Sequence, residues 1–481
     1  MRQYARSQYV LVSWFFDRHK SVAVDINKRV ACIICPFQFQ FPSRLRGKMK
    51  NLFVATFLFI SAFTHAQDLT RRASLDAKLT LMPKSPGATV SRIDKGSPLD
   101  RVGIKEGDIV LQIDGEKILS EENLTSITYA LRANRATKML IRRGSEILDY
   151  SVELEALSKE SHANLDTFYE SVISDYGVKQ RIIITRPKGK TDPQPAILLI
   201  QGLSCSTIEK YSGRGGNWVN QINEVVEKSG MVVLRIDKPG VGDSEGDCAS
   251  TDFLTELEGY KAAVRLLKTK DYVDPNKIIV YGSSMGSALA PLLANEFDLA
   301  GVISDGTFFK TWFEHMLEIE RRIRQMSGDS ESTIVKKMND VFIPLYYGML
   351  IQKKSYGQVI DEYPAIAEYN YHPEGHMYGR PVSYYQQLQD FDLAGEWEKI
   401  KVPVRILYGS NDWIMSEFDN QMIMRVLDRS GHSNHQLLIY PGLDHWNTIH
   451  ESPRDSFEGK PGKWDPKVPE TIIEWAKEMV R

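Results

Sequence analysis

The stretch Lys277-Ile278-Ile279-Val280-Tyr281-Gly282-Ser283-Ser284-Met285-Gly286-Ser287-Ala288-Leu289-Ala290 constrains this chain more than any other. An apolar β-branched run stops at a glycine, a serine follows two residues later, then a second glycine and an alanine-rich run. The pattern is G-x-S-x-G between a predicted strand and a predicted helix. So tight a turn admits only small residues beside the serine, which accounts for Gly282 and Gly286. It lifts Ser284 above the end of a sheet, at the start of a helix whose free N–H groups favour negative charge. A hydroxyl placed there becomes a nucleophile only if the rest of the chain supplies a base, an acid and hydrogen-bond donors for an oxyanion.

The 481 residues leave room for two or three domains, and the formal net charge of −2 gives no electrostatic reason to expect nucleic acid or an anionic membrane as partner. Residues 1–48 show no sustained period. They are followed by Met49-Lys50-Asn51, an apolar run from Leu52 to Phe63, and Thr64-His65-Ala66-Gln67. That is the order of a signal peptide, residues 49–66, with cleavage after Ala66 and translation starting at Met49. Residues 1–48 then read as an untranslated or disordered extension, and export to the periplasm or medium is expected, with no stable membrane span after cleavage. Cys32-Ile33-Ile34-Cys35 looks like a redox or half-zinc pair but has no second pair and falls in that doubtful extension.

Residues 70–155 form one unit. Gly87 to Ile93 alternates like a strand, Gly96-Ser97-Pro98-Leu99 turns the chain, and Gly103-Ile104-Lys105-Glu106-Gly107-Asp108-Ile109-Val110 leads to a hairpin signal at Asp114-Gly115. Asn123 to Ala133 has helical spacing, and two alternating runs follow. Together these motifs resemble a small β-rich PDZ domain of the bacterial protease type. The resemblance implies a peptide ligand bound by strand addition, its carboxylate held by a glycine-containing loop just before the Gly87 strand. Here that region reads Leu75-Asp76-Ala77-Lys78-Leu79-Thr80-Leu81, without glycine. The fold is therefore expected, and peptide binding is left open against a role in packing alone.

A polar stretch, 156–168, reads as a linker into a second domain, 169–481. There, apolar runs at Gln180–Thr185, Ala196–Ile200, Met231–Ile236, Ile278–Tyr281, Ala300–Ile303, Val404–Tyr408 and Gln436–Tyr440 alternate with helical patterns. The alternation implies a mostly parallel, doubly wound sheet. It breaks between about 306 and 400, an insertion too long for a loop and rich in helical periods and aromatics, read as a helical cap.

The order of strand, elbow serine, cap, later acid and histidine resembles the α/β-hydrolase fold, in which the triad runs Ser, Asp or Glu, His along the chain. The resemblance implies Ser284 as nucleophile, Asp412 in Gly409-Ser410-Asn411-Asp412 as acid, and His445 in Gly442-Leu443-Asp444-His445 as base. Asp305 holds the alternative acid position. His450 is a weaker candidate base, and His432 and His435 lie at the wrong end of their strand. The oxyanion hole would combine the N–H of Met285 with that of Leu203, in Gln201-Gly202-Leu203-Ser204-Cys205. The family often has His-Gly where this chain has Gln201-Gly202.

Asp237-Lys238-Pro239-Gly240-Val241-Gly242-Asp243-Ser244-Glu245-Gly246 resembles the family's loop after the fourth strand, with a structural role through its turn glycines. Cys205 and Cys248 then fall on loops after strands that neighbour each other in this fold, so an exported protein is expected to join them as a disulfide. In the cap, some of Trp312, Phe313, Tyr346, Tyr347, Tyr369, Tyr371, Tyr378, Tyr384 and Tyr385 are expected to line an apolar pocket. Arg380 either meets a substrate carboxylate or pairs within the cap.

The expectation is an exported serine hydrolase that cleaves carboxylic esters, without metal or organic cofactor. Its partners would be a small ester or short peptide substrate, with a peptide ligand possible at the PDZ domain. The alternatives are a serine peptidase or aminopeptidase of the same fold, and a peptide-binding protein with an inactive hydrolase domain.

Overall fold

The computed structural model describes residues 69–81, 86–209, 217–369 and 375–481. The signal peptide, the extension before it, Cys32, Cys35 and Tyr371 lie outside the described residues. Among the described residues, no helix is long and apolar enough to cross a membrane.

The first unit is a sheet of six strands: β1 (Ala77–Leu81), β2 (Ala88–Ile93), β3 (Ile109–Ile113), β4 (Glu116–Lys117), β5 (Ala136–Arg143) and β6 (Glu146–Glu153), in the order β1-β2-β3-β5-β6 with β4 on β3. Two helices cover it, α1 (Pro98–Arg101) and α2 (Glu121–Tyr129). Val90, Leu99, Ile104, Val110, Met139 and Ile141 bury their side chains between these layers. The stretch read as a carboxylate loop is mostly strand: Ala77 to Leu81 alternate and pair antiparallel with β2. Asp76, just ahead of it, takes a left-handed φ of 48°, a conformation glycine adopts more readily.

The second unit is built on eight strands: β7 (Leu165–Ile173), β8 (Lys179–Pro187), β9 (Gln194–Ile200), β10 (Val232–Ile236), β11 (Val273–Ser283), β12 (Gly301–Asp305), and, beyond a small cap hairpin of β13 (His376–Met377) and β14 (Arg380–Pro381), β15 (Val404–Gly409) and β16 (His435–Tyr440). Their order is β16-β15-β12-β11-β9-β10-β8-β7. Along that order every pair from β16 to β10 is parallel, and β8 pairs antiparallel with both β10 and β7. This is the α/β-hydrolase sheet. Strand β7 begins inside the stretch read as linker, because Asp166-Thr167-Phe168-Tyr169-Glu170 sits at the sheet edge and lacks the apolar run of a central strand.

Helices α3 (Asn217–Lys228), α4 (Phe253–Lys268), α5 (Met285–Phe297), α6 (Trp312–Met326), α7 (Glu331–Lys337), α8 (Ile343–Tyr346), α9 (Tyr356–Glu362), α10 (Val382–Gln389), α11 (Leu393–Lys399), α12 (Glu417–Arg429), α13 (Pro453–Phe457) and α14 (Lys467–Met479) complete the unit. Two separate cores cover the two faces of the sheet. One packs α4 and α5 with the cap onto Leu198, Leu234, Ile278 and Val280. The other packs α3 and α14 onto Ile197, Leu199, Val233 and Ile279. Alternate residues of each strand point to opposite faces, so central strands are apolar throughout. The cap is α6 to α11. It includes two single π-helical stretches, Met338–Phe342 and Tyr347–Ile351, on either side of α8, whose second residue is Pro344.

Candidate active site

Strand β11 ends at Ser283 and helix α5 begins at Met285, leaving Ser284 alone in the turn with φ 53° and ψ −123°. A serine rarely holds that conformation, and a strained backbone at one residue marks a site that the surrounding fold over-determines. The fold does so by close approach. A side chain on Gly282 would meet the Gly286 carbonyl at 2.2 Å, and one on Gly286 would meet the Ile200 carbonyl at 2.4 Å. The Ser284 N–H donates to the Asp305 carbonyl at 2.8 Å, tying the turn to the end of β12.

Ser284 Oγ–H donates to His445 Nε2 at 2.9 Å, and His445 Nδ1–H donates to Asp412 Oδ2 at 2.8 Å. Asp412 follows β15 and His445 follows β16, so three strand ends converge on one point. The second oxygen of Asp412 accepts from the N–H groups of Ile414 at 2.8 Å and Met415 at 2.9 Å. Burial opposes ionisation of Asp412, but His445 and these backbone donors hold its carboxyl below the ordinary range. Burial likewise opposes protonation of His445, and the Asp412 carboxylate overcomes it, raising the imidazole above its ordinary value. Gly306 makes room for this pair: a side chain there would stand 3.2 Å from the His445 ring.

Asp305 takes no bond from His445 in this arrangement. Its carboxylate accepts from Tyr281 and Gln221, each at 3.3 Å, and from Asn447 at 3.4 Å. Burial pushes it up to about 6. His450 pairs with Asp444 at 3.2 Å, and His432 contacts the Val402 carbonyl, away from Ser284.

The loop after β9 carries Gln201, Gly202 and Leu203 past the serine. Gly202 lies against Ser284, where a side chain would stand 3.0 Å from its Cβ. A disulfide joins Cys205 to Cys248, bridging the loops after β9 and β10, with Cα atoms 6.0 Å apart. Arg380 does not reach out to solvent. It is fully buried, pairs with Glu256, sits over the Tyr384 ring at 4.6 Å and touches the disulfide sulfur of Cys248.

Glu256 also pairs with Lys238 at 3.0 Å, and Lys238 donates to the Gly202 carbonyl. Burial pushes Lys238 down to about 8. Sequence reasoning gave the Lys238 loop a role through its glycines and passed over the lysine. The available signal was Glu256, a charge at helical spacing among Phe253, Leu257 and Tyr260 on the apolar face of α4.

Of the cap aromatics, Trp312, Tyr346, Tyr384 and Tyr385 are buried, whereas Tyr347 and Tyr369 are exposed. Trp312 stacks on Tyr385 at 5.1 Å and abuts Phe308 and His315. His315, unremarked in the sequence, is a buried imidazole pushed down to about 3 by burial and so is uncharged. Among the described residues, no group of three or more His, Cys, Asp or Glu could hold a metal ion.

The model of the serine aminopeptidase S33 family matches residues 212–452. The chain belongs to that family. A PDZ-domain model matches residues 69–154, ahead of this S33 hydrolase domain. The esterase EstD of Thermotoga maritima is 23% identical over 316 residues, covering 64% of this chain and 68% of that protein. A probable periplasmic serine endoprotease, DegP-like, of Hahella chejuensis is 28% identical over 142 residues, 29% of this chain and 26% of that protein. Among solved structures, an esterase of Pyrococcus furiosus is similar at a TM-score of 0.40 and 15% identity, over 66% of this chain and 92% of its own. This S33 member is a serine hydrolase, of the class that spans esterases and peptidases.

Proposed function

We propose that the protein is an exported hydrolase that cleaves carboxylic esters through an acyl-Ser284 intermediate, with His445 as base and Asp412 as acid. The observation that carries this reading is the continuous hydrogen-bond chain from Ser284 through His445 to Asp412. Serine is a weak nucleophile at neutral pH. His445 Nε2 accepts its proton as Oγ attacks the substrate carbonyl, then returns it to the leaving alcohol. Asp412 holds the Nδ1–H tautomer and stabilises the imidazolium. The N–H groups of Leu203 and Met285 would receive the oxyanion, each donor accounting for about 3–4 kcal/mol of barrier. Water, activated by the same histidine, releases the acid. The likeness to EstD favours an ester over an amide.

A peptidase is the second reading. It is favoured by the family description and by the DegP-like relative, whose name is that of an endoprotease. That relative is also called periplasmic, which with the disulfide supports export. The intact Ser284–His445–Asp412 chain argues against an inactive hydrolase domain serving only peptide binding.

Fluorophosphonate labelling, followed by assays of wild type and Ser284→Ala on p-nitrophenyl esters and aminoacyl amides, separates these. Labelling and ester turnover, both lost in Ser284→Ala, are expected. Amide turnover far above ester turnover selects the peptidase, and an unlabelled wild type removes both readings.

A further inference from the structure

A peptide group carries the carbonyl of one residue and the N–H of the next on opposite edges of one plane. In the Gly202–Leu203 peptide, the carbonyl edge is held by Lys238, whose ammonium donates to the Gly202 oxygen. Gly202 packs on Ser284, with a side chain at that position standing 3.4 Å from Oγ. The group that fixes the carbonyl therefore fixes the direction of the Leu203 N–H beside the reacting serine.

We propose that Lys238 is a positioning residue for acyl transfer, holding and polarising the Gly202–Leu203 peptide so that the Leu203 N–H is aimed at the oxyanion. This rests on the reading of Leu203 as a donor to that oxyanion. Three observations carry it. Lys238 is 1% exposed, and lysine is almost never so buried unless paired. Its carboxylate partner, Glu256, is shared with Arg380, so one carboxylate serves two cations. Besides that ion pair, the Lys238 ammonium directs a donor at a backbone carbonyl, that of Gly202. A charge-assisted bond of this kind is roughly twice as strong as a neutral one, and bonds in series polarise one another. Pulling electron density from the carbonyl makes the N–H on the far edge a better donor.

The charge is conditional. The groups acting on Lys238 are Glu256 from α4 and Arg380 from β14, with the buried phenols of Tyr260 and Tyr384 next to the same ion pair, while Asp237, its neighbour in the chain, gives its carboxylate to Thr207 and the Ile208 N–H. Burial, opposed by Glu256 and aided by Arg380, brings Lys238 down to about 8. The lysine is charged below that pH and neutral above it, so acceleration falls as pH climbs through that value.

Lys238→Met removes the charge and leaves the Glu256–Arg380 pair intact. The turnover number for an ester is expected to fall about ten- to a hundredfold with KM within about twofold. Affinity for a trifluoromethyl ketone, which forms a tetrahedral adduct on serine, is expected to fall by the same factor, and the alkaline limb to vanish. Lys238→Arg, which restores the charge, should recover part of the loss. A lysine with only a packing role would move KM and the melting temperature and leave analogue affinity unchanged. Wild-type turnover and analogue affinity in Lys238→Met overturn the proposal. Should that variant not fold, the wild-type profile decides, and turnover flat from about pH 7 to 10 overturns it. Fluorophosphonate labelling separates the two failures. A labelled wild type with an unaffected Lys238→Met removes the lysine alone, whereas an unlabelled wild type removes the reading of the site.

Discussion

Two aspartates stand at or just past the ends of adjacent parallel strands near the same histidine, and their surroundings differ. Asp412 receives the imidazole N–H and two backbone N–H groups and stays ionised. Asp305 receives only longer bonds, from a phenol and two amides, and burial raises its carboxyl to about 6. Asp412→Asn should lower ester turnover about 10³- to 10⁴-fold, because the amide cannot hold the correct tautomer. It should also move the acid limb. The carboxylate raises His445, and the histidine must be neutral to act as base, so removing that charge shifts the limb to lower pH. Asp305→Asn, which keeps the shape and can still accept from Asn447, should cost less than about tenfold. A pH–rate profile of both variants checks the assignment, and an equal loss in the two would refute it. In the sequence both aspartates stand at a strand end before a turn, so only the family resemblance favoured Asp412; the hydrogen bond from His445 now supports the same choice.

At the scale of elements, the site consists of loops set on strand ends, and one covalent link joins two of them. The Cys205–Cys248 bridge spans a sequence separation of 43. Closing a loop of that length in the unfolded chain stabilises the fold by up to about 4 kcal/mol. Cys205→Ser with Cys248→Ser should therefore melt several degrees lower, and so should wild type in dithiothreitol. Ester turnover should fall as the loop bearing Gly202 and Leu203 is released. A melting temperature and turnover matching the oxidised wild type would show that the bridge braces nothing. The elements themselves were legible where one period governs a run. Central strands such as Ala196–Ile200 read directly, and the G-x-S-x-G turn was recognisable because steric exclusion leaves so few residues possible. Strand β7 was not, since an edge strand has no need of an apolar run. The cap hairpin of two-residue strands was too short to show alternation. The ions under the loop after β9 escaped because Lys238, Glu256 and Arg380 lie far apart in sequence and meet only through tertiary packing.

On the scale of the whole molecule, the PDZ unit is not a bead on a flexible tether. Arg71, six residues ahead of the start of β1, reaches into the hydrolase unit and donates to Asp243 at 3.1 Å and to Glu209 at 2.8 Å, on the loops that the disulfide joins. Its neighbour Arg72 donates its backbone N–H to Asp243 at 2.9 Å. The supposed linker folds back on the same arginine, with the Leu157 and Ser158 carbonyls accepting from Arg71 at 3.1 and 3.0 Å. Arg181, from β8, donates to Asp243 at 3.2 Å and to the Leu69 carbonyl at 3.0 Å. Arg71, on the PDZ side, thus meets the buried carboxylates of Glu209 and Asp243 on the hydrolase side, where Arg181 joins the set. Removing one member of such a set leaves charge without compensation, which costs about 3–5 kcal/mol. Arg71→Ala should accordingly loosen the junction before it unfolds either unit. Calorimetry is expected to resolve two transitions where the wild type shows one, and limited proteolysis to cut between about residues 155 and 165. Because Asp243 shares its loop with Lys238 and Cys248, ester turnover should fall alongside, although no residue touching Ser284 has changed. If the variant instead melts in a single step at the wild-type temperature with wild-type turnover, the arginine is incidental and the remaining contacts, Arg181 to Leu69 and Arg72 to Asp243, suffice to couple the two units.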